Sequence, residues 1–182
     1  MKFIASYLTI FFVLVLSTPA RGNDAWTFSP IKASNKTCND AINDMKSYLV
    51  KNKYFIPWEW GLGKVYPSIT MSDTHISEFY FDYPQERQSS IFFKLSGDSD
   101  RLYQGFLSSP QLMSDLAARI MSSCPNIGLV YYQHWWEDGV TVGYFPDGTA
   151  RTFIGVGDDS KYKRRTEDKE LYKWGYEYEM GL

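Results

Sequence analysis

The residues able to do chemistry in this sequence are few and scattered. His75 and His134 are its two histidines, and acid–base work near neutral pH most often uses that side chain. His134 is followed by Glu137 and Asp138 at a turn, so a His–carboxylate pair can be drawn. No motif places a nucleophile beside it, and a histidine at a strand end is ordinarily structural. Two histidines with Asp73 match no recognised ligand spacing, so no metal is expected. Glu59 stands between Trp58 and Trp60, where an apolar surround would raise its pKa and suit a glycosidase acid. Glycoside hydrolysis ordinarily needs a second carboxylate, and none is placed for Glu59. Asp98 and Asp100 open like a calcium loop, but Leu102 occupies the third oxygen position, and a solvated turn is the better reading. Phosphate-cradling glycine loops, serine elbows and zinc signatures are absent. His134 and Glu59 are therefore the two catalytic candidates, each outweighed by a structural role. No cofactor is implied, and the chain reads more as a binder than as an enzyme.

What it has in abundance is aromatic surface: six Trp, fourteen Tyr and twelve Phe. A sheet with a core needs such residues, and Phe79, Phe81, Phe93, Tyr131 and Phe153 are expected to fill it. Trp58, Trp60, Trp135, Trp136, Trp174 and Tyr176 fall in loops or at strand ends. They are the candidate ligand-binding residues, because exposed aromatic patches usually bind something.

Composition limits the partners. Met1-Lys2, an apolar run over 3–16 and Ser17-Thr18-Pro19-Ala20-Arg21-Gly22 form the pattern of a secretory signal over 1–22, with a cut after Gly22 or after Ala20. The run is shorter than the roughly 20 residues that span a bilayer, so no permanent membrane span is expected. The net charge of −2 becomes −4 once Lys2 and Arg21 leave, which disfavours nucleic acid as a partner. The basic run over 161–165 is followed by Glu167, Asp168 and Glu170 and reads as a solvated loop. Cys38 and Cys124 are the two cysteines, and in an exported chain they are expected to pair as a disulfide.

The elements that must position these residues follow from periodicity. Residues 23–36 read as an extended arm carrying the glycosylation pattern Asn35-Lys36-Thr37. One domain is expected over 37–182. Thr37 caps a first helix that runs to Asn52, and 54–74 is an aromatic connection broken by Pro57, Gly61, Gly63 and Pro67. Alternation over 76–83 and again over 91–95 predicts two antiparallel strands. Ser109 and Pro110 start a second helix with a wide apolar stripe ending at Cys124. Residues 127–136 are apolar on both faces, as in a central strand covered on two sides. A meander through 140–145 and 150–156 follows, turned by Pro146-Asp147-Gly148. A loop over 157–169 precedes alternation over 171–180, which predicts a half-buried edge strand.

The order α-β-β-α-β-β-β-β predicts an α+β domain in which two helices pack on a curved, mainly antiparallel sheet of five to six strands. In element order, over 37–180, it resembles cone-shaped domains of the nuclear-transport-factor-2-like kind, in which a curved sheet wraps helices around a pocket; no catalytic residue carries over. The functional expectation is a secreted, extracellular or periplasmic, non-catalytic domain. It would bind a small apolar ligand, a glycan or a protein through an aromatic pocket or surface. Two alternatives stay open: a small hydrolase or isomerase using His134 or a carboxylate, and a structural or inhibitory protein acting through its last strand.

Overall fold

The computed structural model describes residues 27–52, 58–60, 64–66, 69–95, 102–134, 139–157 and 160–178. The signal segment lies outside them. In chain order the elements are β1 (Phe28–Pro30), α1 (Cys38–Lys51), β2 (Trp58–Trp60), β3 (Lys64–Tyr66), β4 (Ile69–His75), β5 (Tyr80–Phe81) and β6 (Ser89–Leu95). Then come α2 (Pro110–Ser123), β7 (Ile127–His134), β8 (Gly139–Phe145), β9 (Thr149–Thr152), β10 (Ile154–Val156), β11 (Lys163–Arg165), β12 (Glu170–Lys173) and β13 (Tyr176–Tyr178). Six strands form one curled sheet in the order β1-β9-β8-β7-β6-β4. All neighbours in it are antiparallel except β6 and β7. A parallel pair needs a crossover, and α2 supplies it, lying on one face of the sheet.

Both helices form where their stripes place them, α1 with a side-chain cap and α2 with none from Ser109. The Thr37 hydroxyl accepts from the Asp40 backbone N–H, and Ala41, Ile42, Met45 and Leu49 point inward from α1. Pro110 sits in the first turn of α2, whose stripe of Met113, Leu116, Ala117, Ile120 and Met121 is buried. Against it lie Ile91, Phe93 and Leu95 of β6, Val130 and Tyr132 of β7, and Val142 of β8. Cys38 and Cys124 are disulfide-bonded, with Sγ atoms 2.02 Å apart across a separation of 86 residues. The bond ties the start of α1 to the end of α2. For a loop of that length the chain-entropy model gives a stabilisation of about 4 to 5 kcal/mol.

The extended arm enters the sheet at 28–30: β1 pairs with β9, and Ser29 bonds to Asp115 and Gln111 of α2. Three readings need correction. The segment 76–83 is not one strand. Ile76–Glu78 is a 3-10 turn and Asp82 has φ 59°, so the partner of β6 is β4, lying in what reads as a broken connection. Residues 150–156 bend at Phe153 and divide into β9 and β10. Likewise the expected edge strand over 171–180 divides at Gly175, φ 91°. Its first half, β12, is bonded on both sides, to β11 and β5, and β13 runs parallel to β10. Alternation reports which side chains share a face, but not where a chain leaves its sheet.

The loop over 84–88 also contains more than its polarity suggests. The Arg87 guanidinium is half-buried, and its Nη1 donates to the carbonyls of Met121 (2.8 Å), Ile127 (3.0 Å) and Cys124 (3.3 Å). It also lies 4.3 Å over the Tyr144 ring. One side chain thus satisfies orphan carbonyls at the C-terminus of α2, where a cation also complements the helix dipole. Arg87→Ala should lower unfolding stability by about 2 to 3 kcal/mol, measured by denaturant titration with the disulfide intact, and Arg87→Lys should recover only part of it.

Candidate functional site

Alternation along the central strands sends one set of side chains to the helices and the other to the opposite face. On that second face lie Leu129 and Tyr131 of β7, Thr141 and Gly143 of β8 and Phe92 of β6. Two helices cannot cover both sides, and the C-terminal segment covers this one. Trp174 is 7% exposed, and its indole N–H donates to the Tyr144 carbonyl at 3.1 Å. Its ring meets Phe153 edge-on at 4.9 Å and Tyr80 at 5.6 Å. With Ile76 and Leu129 these rings form a second, smaller core.

Beside that core the covering is incomplete, and a hollow of about 350 Å³ remains. Its floor is the sheet: Phe92, Leu129, Tyr131 and Thr141. Its walls come from the turn at Phe79 and Tyr80 and from Glu170, Tyr172 and Glu177 of β12 and β13. Phe79 and Phe92 are 5.6 Å apart between centroids, and Phe92 and Tyr131 are 5.3 Å apart. The Tyr172 backbone N–H donates to the Phe79 carbonyl at 2.9 Å, which fixes one wall against the other. The Tyr172 hydroxyl donates to Glu170 at 3.2 Å. Lys163 pairs with the same Glu170 oxygen at 3.1 Å and lies 5.4 Å from the Tyr172 ring.

The phenols sense this enclosure. Burial pushes the Tyr80 hydroxyl well above its usual range, and the nearby Glu177 charge adds to the shift, while a hydrogen bond with Thr141 opposes it. Burial does the same to Tyr132, which donates to the Met113 carbonyl at 3.2 Å. Tyr172 is also raised, first by burial.

The sequence candidates divide as follows. Trp174 lies in the second core, as its edge contacts and single satisfied N–H require. Tyr176 is half-buried and stacks on Tyr162 at 4.1 Å. Trp58, Glu59 and Trp60 form β2, paired with β3, and His134 ends β7; their side chains lie outside the described residues, as do Trp135 and Trp136 entirely. Phe93 and Phe153 are core, as expected, whereas Phe79 is 39% exposed and Tyr131 is half-buried, both at the hollow. The basic run is dispersed onto rings: Arg164 lies 4.3 Å over Phe81 and Lys161 4.6 Å over Tyr162. His75 is exposed and bonded to Ser77 and Gln88.

Among the described residues no three His, Cys, Asp or Glu converge to hold a metal, and no helix is long and apolar enough to cross a membrane. A larger concavity, about 780 Å³, runs between residues 32–36 and the helices. Exposed Asn35 lies along it, as does an ion pair between Lys36 and Asp44. That pair is open to water, which leaves it little energy, and no enclosed aromatic cluster accompanies it. The space between the helices and the sheet, where a cone-shaped domain would hold its pocket, is occupied by Phe93, Met113, Ile120 and Tyr132. The chain matches no protein-family model, no curated protein and no solved structure.

Two consequences are measurable. A Cβ at Gly143 would lie 2.3 Å from a Phe153 ring carbon and 2.7 Å from the Trp174 indole, so Gly143→Ala should cost about 1 to 3 kcal/mol in a denaturant titration. Tyr80 and Tyr132 hold their protons above the unfolded value of about 10. The folded state therefore binds more protons than the unfolded one above that pH, and stability should fall as pH rises beyond about 10. Unfolding curves at pH 8 and pH 10.5 measure the loss, which Tyr132→Phe should reduce.

Proposed function

We propose that this protein is exported and acts as a non-catalytic binding domain whose ligand seat is the aromatic hollow on the second face of its sheet. The observation that carries the reading is the convergence of Phe79, Phe92, Tyr131 and Tyr172 on one open hollow. Its size is at the low end for small-ligand sites, and rings fixed on strands lose little entropy when they bind. Export is supported by the apolar run over 3–16 and by the Cys38–Cys124 bond, since such bonds persist in oxidising compartments.

In a secreting host the protein should be recovered outside the cell, beginning at Asn23 or Arg21 and carrying no free thiol. Full-length intracellular chain with reduced cysteines would reject export. For the seat, NMR titration of the mature domain with small apolar compounds, glycans and peptides should give saturable shifts at Phe79, Phe92, Tyr131 and Tyr172. Phe92→Ala should weaken the best ligand about tenfold, the loss of one or two ring contacts. Saturable shifts confined to the Trp58–Trp60 strand or to the concavity beside Asn35 would move the seat elsewhere.

A further inference from the structure

We propose that the concavity between residues 32–36 and the helices is a second binding site, for a small organic anion with an apolar body, such as a medium-chain carboxylate. It lies on the helix side of the sheet, away from the aromatic hollow, and the inference holds whether or not that hollow takes a ligand. The chain before α1 passes over the groove between the helices and is fixed at both ends. The Ile31 backbone N–H donates to the Gly148 carbonyl at 2.9 Å, and Cys38 is bonded to Cys124. Between them the Ser123 hydroxyl donates to Ser34 Oγ at 2.9 Å. Under this span about 780 Å³ stays open, with Ala41 and Met45 of α1 and Leu116 of α2 as an apolar floor.

The charge around it has one sign in excess. Lys32, Lys36 and Arg119 line the concavity against one carboxylate, Asp44, which Lys36 already holds in an ion pair. Among the described residues, no hydrogen bond, ion pair or ring engages the Lys32 ammonium or the Arg119 guanidinium. The two are neighbours, since both also line the shallower hollow beside Ser29 and Pro30. The carboxylate there, Asp115, accepts from Ser29 and Gln111. At the end of α2 the Met121 and Cys124 carbonyls, which would repel an anion, are taken up by Arg87. The chain as a whole has net charge −2, so its average charge does not explain a local excess of cations.

Charge alone would hold little here, because both cations are exposed and exposed ion pairs are screened and weak. Inorganic phosphate or sulfate is therefore disfavoured. The apolar floor alone would not select a charge. A short chain laid along Met45 and Leu116, with its carboxylate directed to Lys32 and Arg119, uses both, and a guanidinium can donate to both carboxylate oxygens at once. The volume is that of a small-molecule site.

The test is NMR and calorimetric titration of the mature, disulfide-bonded protein with octanoate and decanoate, beside octan-1-ol, octylammonium and acetate. Octanoate should give saturable shifts at Lys32, Ser34, Arg119 and Ser122 and bind about tenfold more tightly than octan-1-ol. Each further methylene should strengthen binding about twofold to fourfold, and acetate should give no saturable shift. Lys32→Gln combined with Arg119→Gln, both on exposed side chains, should bring octanoate to the level of octan-1-ol while the melting temperature stays the same. Equal binding of octanoate and octan-1-ol, tighter binding of octylammonium, no saturable octanoate shift at these residues, or an octanoate preference that survives the double variant would each overturn the site. Octanoate shifts confined to Phe79, Phe92, Tyr131 and Tyr172 would overturn it too, while supporting the aromatic hollow as a seat. If the double variant fails to fold, the order of octanoate, octan-1-ol and octylammonium in the parent protein decides the matter alone.

Discussion

The approach of two aromatic rings to the bare backbone of Gly143 is the contact on which the second half of this fold depends. Phe153 and Trp174 occupy the place a side chain would take on β8, and Trp174 closes its polar requirement on the Tyr144 carbonyl next door. The seat has to exist because the sheet is apolar on both faces and the two helices cover one. The chain after β9, together with the segment around Ile76, Phe79 and Tyr80, covers the other. It does so in short pieces, β10 to β13, each paired at its edges with another short strand. A covering made of fragments does not tile a curled sheet completely, and the hollow is the part left uncovered.

The helix side is held by different means. There the disulfide joins the start of α1 to the end of α2, and Arg87 reaches across from the loop before β6 to the carbonyls at the same end of α2. Covalent bond, charged cap and a continuous core of Leu, Met and Ile act on one corner of the molecule. The C-terminal cover has no covalent tie and far fewer buried apolar groups, so it belongs to the part of the structure that opens at lower free energy. At the proposed seat, the walls made from that cover would adjust to a ligand more readily than the floor formed by β6, β7 and β8.

Which parts of this were legible in the sequence follows from the range of the signals. Both helices, with Thr37, Ser109 and Pro110 at their starts, are local patterns and stand where periodicity places them. So does the turn at Asp147, which accepts from the Thr149 N–H at 3.2 Å, with Gly148 at φ 78°. Pairing of Cys38 with Cys124 follows from a count of two and the expectation of export. The two-faced apolar character of β7 was visible as well, and it implied a second cover without saying what the cover was. Non-local pairing carried no signal: that β4 rather than 76–83 would pair with β6 depends on contacts 14 to 26 residues apart, and that β12 would run beside β5 on contacts 92 residues apart. The candidate hollow is aromatic, but the rings that line it are not the ones the sequence singles out. Indoles in loops drew attention, yet Trp174 is consumed by packing. The rings that line the hollow, Phe79, Phe92, Tyr131 and Tyr172, look in the sequence like ordinary strand residues. The readable clue was parity, since Phe92 and Tyr131 fall on the face opposite Phe93 and Tyr132.

The position of the hollow gives Trp174 a role it would not have as a contact residue. A ligand between Phe92 on the floor and Tyr172 on the wall joins the sheet to its C-terminal cover, and binding to the closed form stabilises the closed form by mass action. Its affinity therefore includes the free energy with which β12 and β13 are held down. That free energy comes largely from the Trp174 seat on Gly143 and from the bonds of Tyr172 and Trp174 N–H groups to the Phe79 and Phe81 carbonyls. If the hollow is the seat proposed above, Trp174 would act on a ligand it does not touch, as a positioning residue. The large indole that the sequence offers as a candidate binding surface packs against Gly143 and Phe153 and holds the C-terminal cover on the sheet.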